Sequence, residues 1–171
     1  MAHSISALTT AHDVHGFNSG VPELDAWLKT TARQHQKKGI SRAHVLTDDG
    51  APDAIIGFFT MAIRFMTPKS ELPAGMAKSL PANVPGYTLA RLAISEAQKG
   101  KGYGELLLSA AMVKAKDAAD NVGGFALFVD AKDDHAANFY LHYGFAQLPS
   151  NPLVLAIPIA AIPSVMSMAP R

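Results

Sequence analysis

Glycines alternate with lysine and tyrosine in Lys99-Gly100-Lys101-Gly102-Tyr103-Gly104, between the apolar run Leu92-Ala93-Ile94 and a helix-forming stretch. A strand that ends in such a turn and enters a helix makes an anion site. Unpaired N–H groups point outward at the helix start, and the helix dipole favours negative charge. Glycine lets backbone amides approach a phosphate closely, and Lys99 and Lys101 add positive charge. A tight turn on a solvated surface needs one glycine; three, flanked by lysines, favour a phosphate. The dinucleotide fingerprint G-x-G-x-x-G fails because its sixth position falls on Glu105. The P-loop pattern G-x-x-x-x-G-K-[ST] fails because Gly102 follows Gly100-Lys101.

Other side chains leave two readings each. Tyr140, in Ala136-Ala137-Asn138-Phe139-Tyr140, is a proton donor or a core aromatic beside Phe139. Glu96 is a base acting through water or a solvated turn residue. Asn138 contacts a ligand or faces solvent. Arg91, opposite in direction to Leu92 on its strand, meets a nucleic-acid end or pairs with an acid across the sheet. His12 and His15 form H-x-x-H without the glutamate of a zincin, so no metal is expected there. There is no G-x-S-x-G elbow and no cysteine, which excludes a thiol nucleophile, disulfides and thiolate zinc sites.

The elements that must position these groups follow from periodicity. Ser4–Leu8 reads as a first strand. Residues 17–39 read as a helix, with Pro22 in its first turn and Gly39 as its stop. Two strands bracket the turn Asp48-Asp49-Gly50 as a hairpin. Residues 67–86 hold four of the eleven prolines and read as a loop with a short helix at most. Residues 87–94 are a strand and 104–120 a helix, with Leu107, Ala110, Ala111, Ala115 and Ala118 on one face. The apolar run 124–131 is a strand covered on both faces. Residues 133–144 are a short helix, Asp-capped and Gly-stopped, and two strand-like segments follow. This order predicts a mixed α/β layer fold around one sheet, in a single domain over 1–171.

Composition fits that fold. Of 171 residues, 49% are hydrophobic and 17% charged, which suits one globular core. Fifteen Lys and Arg against 14 Asp and Glu leave a net charge of +1, so any nucleic-acid surface must come from local clustering. The N-terminal residues lack a signal-peptide pattern, and the apolar stretch 153–166 is too short and proline-broken to span a bilayer. A cytoplasmic protein without membrane contact is expected.

The glycine loop also resembles [QR]-x-x-G-x-[GA], the pyrophosphate-binding signature of the GNAT acetyltransferases, with Lys99 first, Gly102 fourth and Gly104 sixth. Lys in place of Gln or Arg is a departure. Residues 136–145, AANFYLHYGF, resemble the later A-x-x-F-Y-x-x-x-G-F helix and turn of that family. The segments FNSGVPELDAWL, QKKGISRAHVL, IIGFFTMA, ARLAI and FVDAKDDHAANFYLHYGF run in the order of the GNAT-type toxins of bacterial toxin–antitoxin modules, the TacT-like group. This resemblance covers Phe17 to about Pro158.

The resemblance implies the GNAT fold, a central and mostly antiparallel sheet flanked by helices, with acetyl-CoA as cofactor. It implies acetylation of the α-amino group of aminoacyl-tRNA, a block of translation, and a ribbon-helix-helix antitoxin as partner. It places the cofactor on Lys99, Gly100, Lys101, Gly102, Tyr103, Gly104 and Asn138, with amides near Leu92, Ala93 and Ile94 polarising the thioester carbonyl, and makes Tyr140 the general acid. An α-amino group titrates at about 7.7–8.0 and lower beside an ester, so no strong base is required. Arg33, Lys37, Lys38, Arg42 and Arg91 are the candidates for tRNA contact, with Lys114 and Lys116 as a second group. A homodimer is expected, with the apolar C-terminal segment offering surface. A small-molecule or protein amine as acceptor, or a non-catalytic acyl-CoA-binding module, are the competing readings.

Overall fold

The computed structural model describes residues 2–163. Seven strands, hydrogen-bonded in the order β1-β2-β3-β4-β5-β7-β6, make a mixed and mostly antiparallel sheet flanked by helices. Its members are β1 (His3–Ala7), β2 (Arg42–Asp48), β3 (Gly57–Pro68), β4 (Asn83–Ile94), β5 (Ala126–Asp130), β6 (Ala146–Leu148) and β7 (Asn151–Pro158), with helices α1 (Pro22–Thr30), α2 (Ala32–Lys37), α3 (Tyr103–Val122) and α4 (Asp134–His142). The chain divides into two compact units, one of residues 2–62 and Ala90–Ala111, the other of Ile63–Leu89 and residues 112–163.

In the first unit β1 pairs antiparallel with β2, His3 opposite Asp48 and Ala7 opposite His44. β2 pairs antiparallel with β3, Arg42 opposite Met61 and Leu46 opposite Gly57. Alternation along these strands aims Ala43, Val45 and Phe58 at Leu28 and Ala32, in a core that also holds Leu8, Val14 and Ala93. The single helix expected over 17–39 is two. Pro22 opens α1 without losing a hydrogen bond, but Thr31 leaves helical geometry at φ −124° and starts α2 afresh. Gly39, at φ +75°, closes α2 as expected.

In the second unit β4 and β5 are parallel, from Gly86 opposite Ala126 to Leu89 opposite Val129. β5 pairs on its other edge with antiparallel β7, which pairs with β6. Two paired edges and two covered faces explain the unbroken apolar run, and Ala126, Leu127 and Phe128 are fully buried. The loop expected over 67–86 is shorter, because β3 runs to Pro68 and β4 begins at Asn83, with one 3₁₀ turn at Lys69–Glu71 between. Pro85 is tolerated in β4 because its carbonyl, not its missing N–H, takes the contact from Phe125 N (2.8 Å).

Among the described residues, most of the apolar C-terminal segment goes into the core rather than onto the surface. Leu155, Ala156, Ile157, Ile159 and Ile162 are buried, because β7 lies against β5 and supplies core side chains. The last residues of that segment, 164–166, fall outside the described residues. Exposed apolar bulk sits instead on β3, where Ile63, Phe65 and Met66 face solvent. Along α3 the buried side chains are Leu107, Leu108, Ala111, Met112 and Ala115, while Ala110 and Ala118 are half-buried. No helix among the described residues is long and apolar enough to cross a membrane.

Candidate active site

The registered parallel ladder stops at Leu89 and Val129, and β4 continues five residues further, through Leu92 and Ala93 to Ile94. Two backbone contacts then fix its end. Ser95 N donates to Ile56 O and Glu96 N to Asn18 O, both at 2.8 Å. A 3₁₀ turn (Glu96–Gln98) leads to Lys99, which is extended, and to Gly100 at φ +79° and Gly102 at φ +83°. The positive φ values need glycine, since a Cβ there is strained. The first bond of α3 runs from Leu106 N to Gly102 O (3.3 Å). The N–H groups of Tyr103, Gly104 and Glu105 therefore precede the helix's own ladder and stand ready for an anion.

The side chains of this loop are occupied differently from the backbone. Lys99 Nζ donates to Ser19 O at 2.7 Å and lies 3.4 Å from Glu96 Oε1. Lys101 Nζ donates to Gln98 Oε1 (2.9 Å). Tyr103 is 3.1 Å from His3 Nε2 through its hydroxyl and meets the same ring edge-on. Glu96 is half-exposed and ion-paired to Lys99.

Helix α4 forms because Asp133 caps it, Oδ1 accepting from Ala136 N at 2.8 Å, and it ends at Tyr143 before Gly144 at φ +96°. Its buried face carries Ala137 and Tyr140, while Asn138 is exposed. The Tyr140 ring is held edge-on by Phe139 and Phe145, at 5.2 and 5.6 Å. Burial pushes its phenol above the ordinary value of 10.0, so it holds its proton across the whole physiological range.

The basic residues separate into two kinds. Arg33 is structural. Its guanidinium donates to Thr9 O (2.8 and 3.2 Å) and His12 O (2.8 Å), pinning the loop after β1. Lys37, Lys38 and Arg42 are exposed, as is Lys114, whereas Lys116 is half-buried. Arg91 does not pair with an acid across the sheet; it lies 3.9 Å from the centroid of the Trp27 ring, and burial lowers its pKa. His12 Nδ1 accepts from Thr9 N at 3.0 Å, a turn contact.

Sequence reading missed the turn Asn18-Ser19-Gly20-Val21. Ser19 is buried, and its N and Oγ donate to Asp25 Oδ1 at 3.0 and 2.6 Å. Asn-Ser-Gly ahead of a proline-led helix with Asp in its first turn was the available signal.

Residues 40–147 match the acetyltransferase (GNAT) domain. The chain is 34% identical over 150 residues, 88% of each chain, to a protein of Mycobacterium tuberculosis (strain ATCC 25618 / H37Rv) named tRNA-acetylating toxin. It is 28% identical over 91% of its length, and 90% of the relative's, to the probable toxin TacT of Sinorhizobium fredii (strain NBRC 101917 / NGR234). Among solved structures it is similar to AtaT complexed with acetyl-methionyl-tRNAfMet (TM-score 0.87, 30% identity, 94% and 97% of the two chains). It is similar also to a tyrosine-to-phenylalanine mutant of AtaT bound to the C-terminus of the antitoxin AtaR and acetyl-CoA (TM-score 0.79, 28% identity, 94% and 95% covered). The chain belongs to the GNAT acetyltransferases.

Proposed function

We propose that this protein is an N-acetyltransferase that moves the acetyl group of acetyl-CoA to the α-amino group of aminoacyl-tRNA, and so acts as a translation-blocking toxin. The observation that carries this is near full-length similarity to a tRNA-acetylating toxin, in a chain that keeps both the glycine loop and the α4 tyrosine.

The loop fits the pyrophosphate of coenzyme A. Gly100 and Gly102 are at positive φ, and the first amides of α3, Gly104's among them, are ahead of the helical ladder. In this reading the amides of Gly100, Lys101, Gly102, Tyr103 and Gly104 hold the diphosphate, and Asn138, exposed on α4, contacts the cofactor. A backbone N–H among Leu92, Ala93 and Ile94, past the end of the β4–β5 ladder, is assigned to the thioester carbonyl. Acetyl-CoA supplies an activated acyl group. Tyr140 Oη supplies the proton that the departing sulfur needs, and burial keeps that proton in place until then. The acceptor amine titrates near neutrality, so a neutral fraction attacks without a strong base, and the proton it sheds as the amide forms replaces the one Tyr140 gives to sulfur.

Lys37, Lys38 and Arg42 are exposed cations and suit the tRNA phosphates. Arg91, over the Trp27 ring, is assigned to the acceptor end. The family match runs through both compact units, which supports one catalytic domain across 1–171. A ribbon-helix-helix antitoxin is the proposed partner and the cytoplasm the proposed site of action. A homodimer is supported by the exposed Ile63, Phe65 and Met66 on β3. A small or protein amine is the second reading, favoured by the engagement of Arg33 with backbone carbonyls, which thins the basic patch.

Labelled acetyl-CoA incubated with a total aminoacyl-tRNA pool tests the assignment. Label should enter charged tRNA and be absent from deacylated tRNA. Label only in free or protein amines would move the function to the second reading.

A further inference from the structure

Lys99 stands where the family signature has Gln or Arg, and its positive charge invites a phosphate role. Its side chain is directed elsewhere. Nζ donates to Ser19 O at 2.7 Å, and its charge is matched by Glu96 Oε1 at 3.4 Å. The acceptor belongs to a rigid turn. Ser19 is 2% exposed, and its N donates to both Asp25 carboxylate oxygens at 3.0 and 3.2 Å. Its Oγ adds a third bond to Asp25 at 2.6 Å, and Gly20 N closes on Asn18 Oδ1 at 2.9 Å. The same turn takes Glu96 N on Asn18 O (2.8 Å). Residues 96 and 99 are thus tied to neighbouring carbonyls of one fixed turn, immediately before the glycines begin.

We propose that Lys99 is a positioning residue: a strut from the Ser19 carbonyl that sets the height and angle of the 100–104 backbone, acting through its donor rather than its charge. Gln, Arg and Lys share a tip N–H and only Gln lacks the charge; a neutral carbonyl acceptor needs the N–H alone, whereas a phosphate contact weakens when the charge is removed. Amide cradles depend on placement within fractions of an ångström, so loss of the strut weakens the grip of every loop amide together. The inference rests on the acetyl-CoA reading above.

The test compares Lys99→Gln and Lys99→Met in the full chain. Acetyl-CoA affinity is measured by calorimetry at low and high salt, with KM for both substrates and the thermal midpoint alongside. Lys99→Gln should bind within about twofold of wild type. Lys99→Met should lose about five- to tenfold, the range of one hydrogen bond, equally at both salt concentrations. The KM for the acceptor should not move, which separates positioning from general loosening of the fold. Equal losses in both variants, shrinking at high salt, would make Lys99 a phosphate contact and overturn the strut. An unchanged Lys99→Met would overturn it as well. Absence of acetyl-CoA binding by the wild-type protein would instead remove the cofactor reading, and the strut with it.

Discussion

The glycine loop and helix α4 carry the two halves of the proposed chemistry in opposite ways. In the proposed chemistry the loop works through backbone: the side chains of Lys99, Lys101 and Tyr103 are turned to Ser19, Gln98 and His3, which leaves the N–H groups to the ligand. In the same proposal helix α4 delivers its proton through one side-chain atom, the Tyr140 hydroxyl, on a ring held between Phe139 and Phe145. A backbone site tolerates changes of side-chain chemistry but not an added Cβ where φ is positive. A single-atom site tolerates almost any change except loss of that atom. Binding and turnover should therefore fail separately, and each failure should be specific to one region.

The largest effect should come from the loop. Gly102→Glu or Gly104→Glu places bulk and negative charge in the cradle, and at Gly102 also forces a side chain onto φ +83°. Acetyl-CoA binding should disappear while circular dichroism stays native. Unchanged calorimetric affinity in both folded variants would remove the phosphate from this loop. Next comes Tyr140→Phe, which deletes one oxygen and keeps the ring contacts. Acetyl-CoA affinity should hold while kcat falls by about 10²–10⁴-fold, the usual contribution of a general acid. Normal turnover would reduce Tyr140 to a core aromatic and hand the proton to water or another group.

The same contrast explains what could be read from sequence. Backbone chemistry leaves a spacing signature: Gly100, Gly102 and Gly104 marked a candidate anion cradle, and Gly100 and Gly102 do take the positive φ that such a turn needs. The capped helix around Tyr140 was equally legible, because Asp133 and Gly144 are local signals. Long-range side-chain commitments were not. Nothing near Arg33 in sequence shows that its guanidinium holds carbonyls twenty-one and twenty-four residues away. Arg91 on Trp27 and Lys99 on Ser19 are likewise products of folding, with separations that no periodicity encodes. The early start of β4 at Asn83 escaped because strand pairing overrode a proline-rich local signal.

A smaller effect should distinguish the acceptor from the cofactor. Lys37 is the last residue of α2 and Lys38 its C-cap; both are exposed, with no ion pair among the described residues. The double variant Lys37→Glu/Lys38→Glu should raise the KM for aminoacyl-tRNA several-fold and flatten its salt dependence, since two phosphate contacts change sign. Acetyl-CoA affinity should be untouched. Parallel losses of both would show that these lysines form no separate RNA surface.

The smallest effect concerns the proton that Tyr140 holds. Burial raises its pKa in the folded protein above the ordinary 10.0 of the unfolded chain. A raised value means that the stabilising preference for the neutral phenol is fully present below about pH 10. Above that pH the unfolded chain releases the proton first, so it binds fewer protons than the native state and stability declines as pH rises. Tyr140→Phe has no such proton to lose. The stability gap between wild type and variant should be constant up to about pH 10 and then shift against the wild type, by at most about 1.4 kcal/mol per pH unit. Urea midpoints at pH 8, 9, 10.5 and 11 measure it. A gap that stays constant to pH 11 would mean that the phenol ionises as freely folded as unfolded. Its proton would then be held no more tightly than that of any exposed tyrosine, and the buried ring between Phe139 and Phe145 would no longer account for an acid kept in its protonated form.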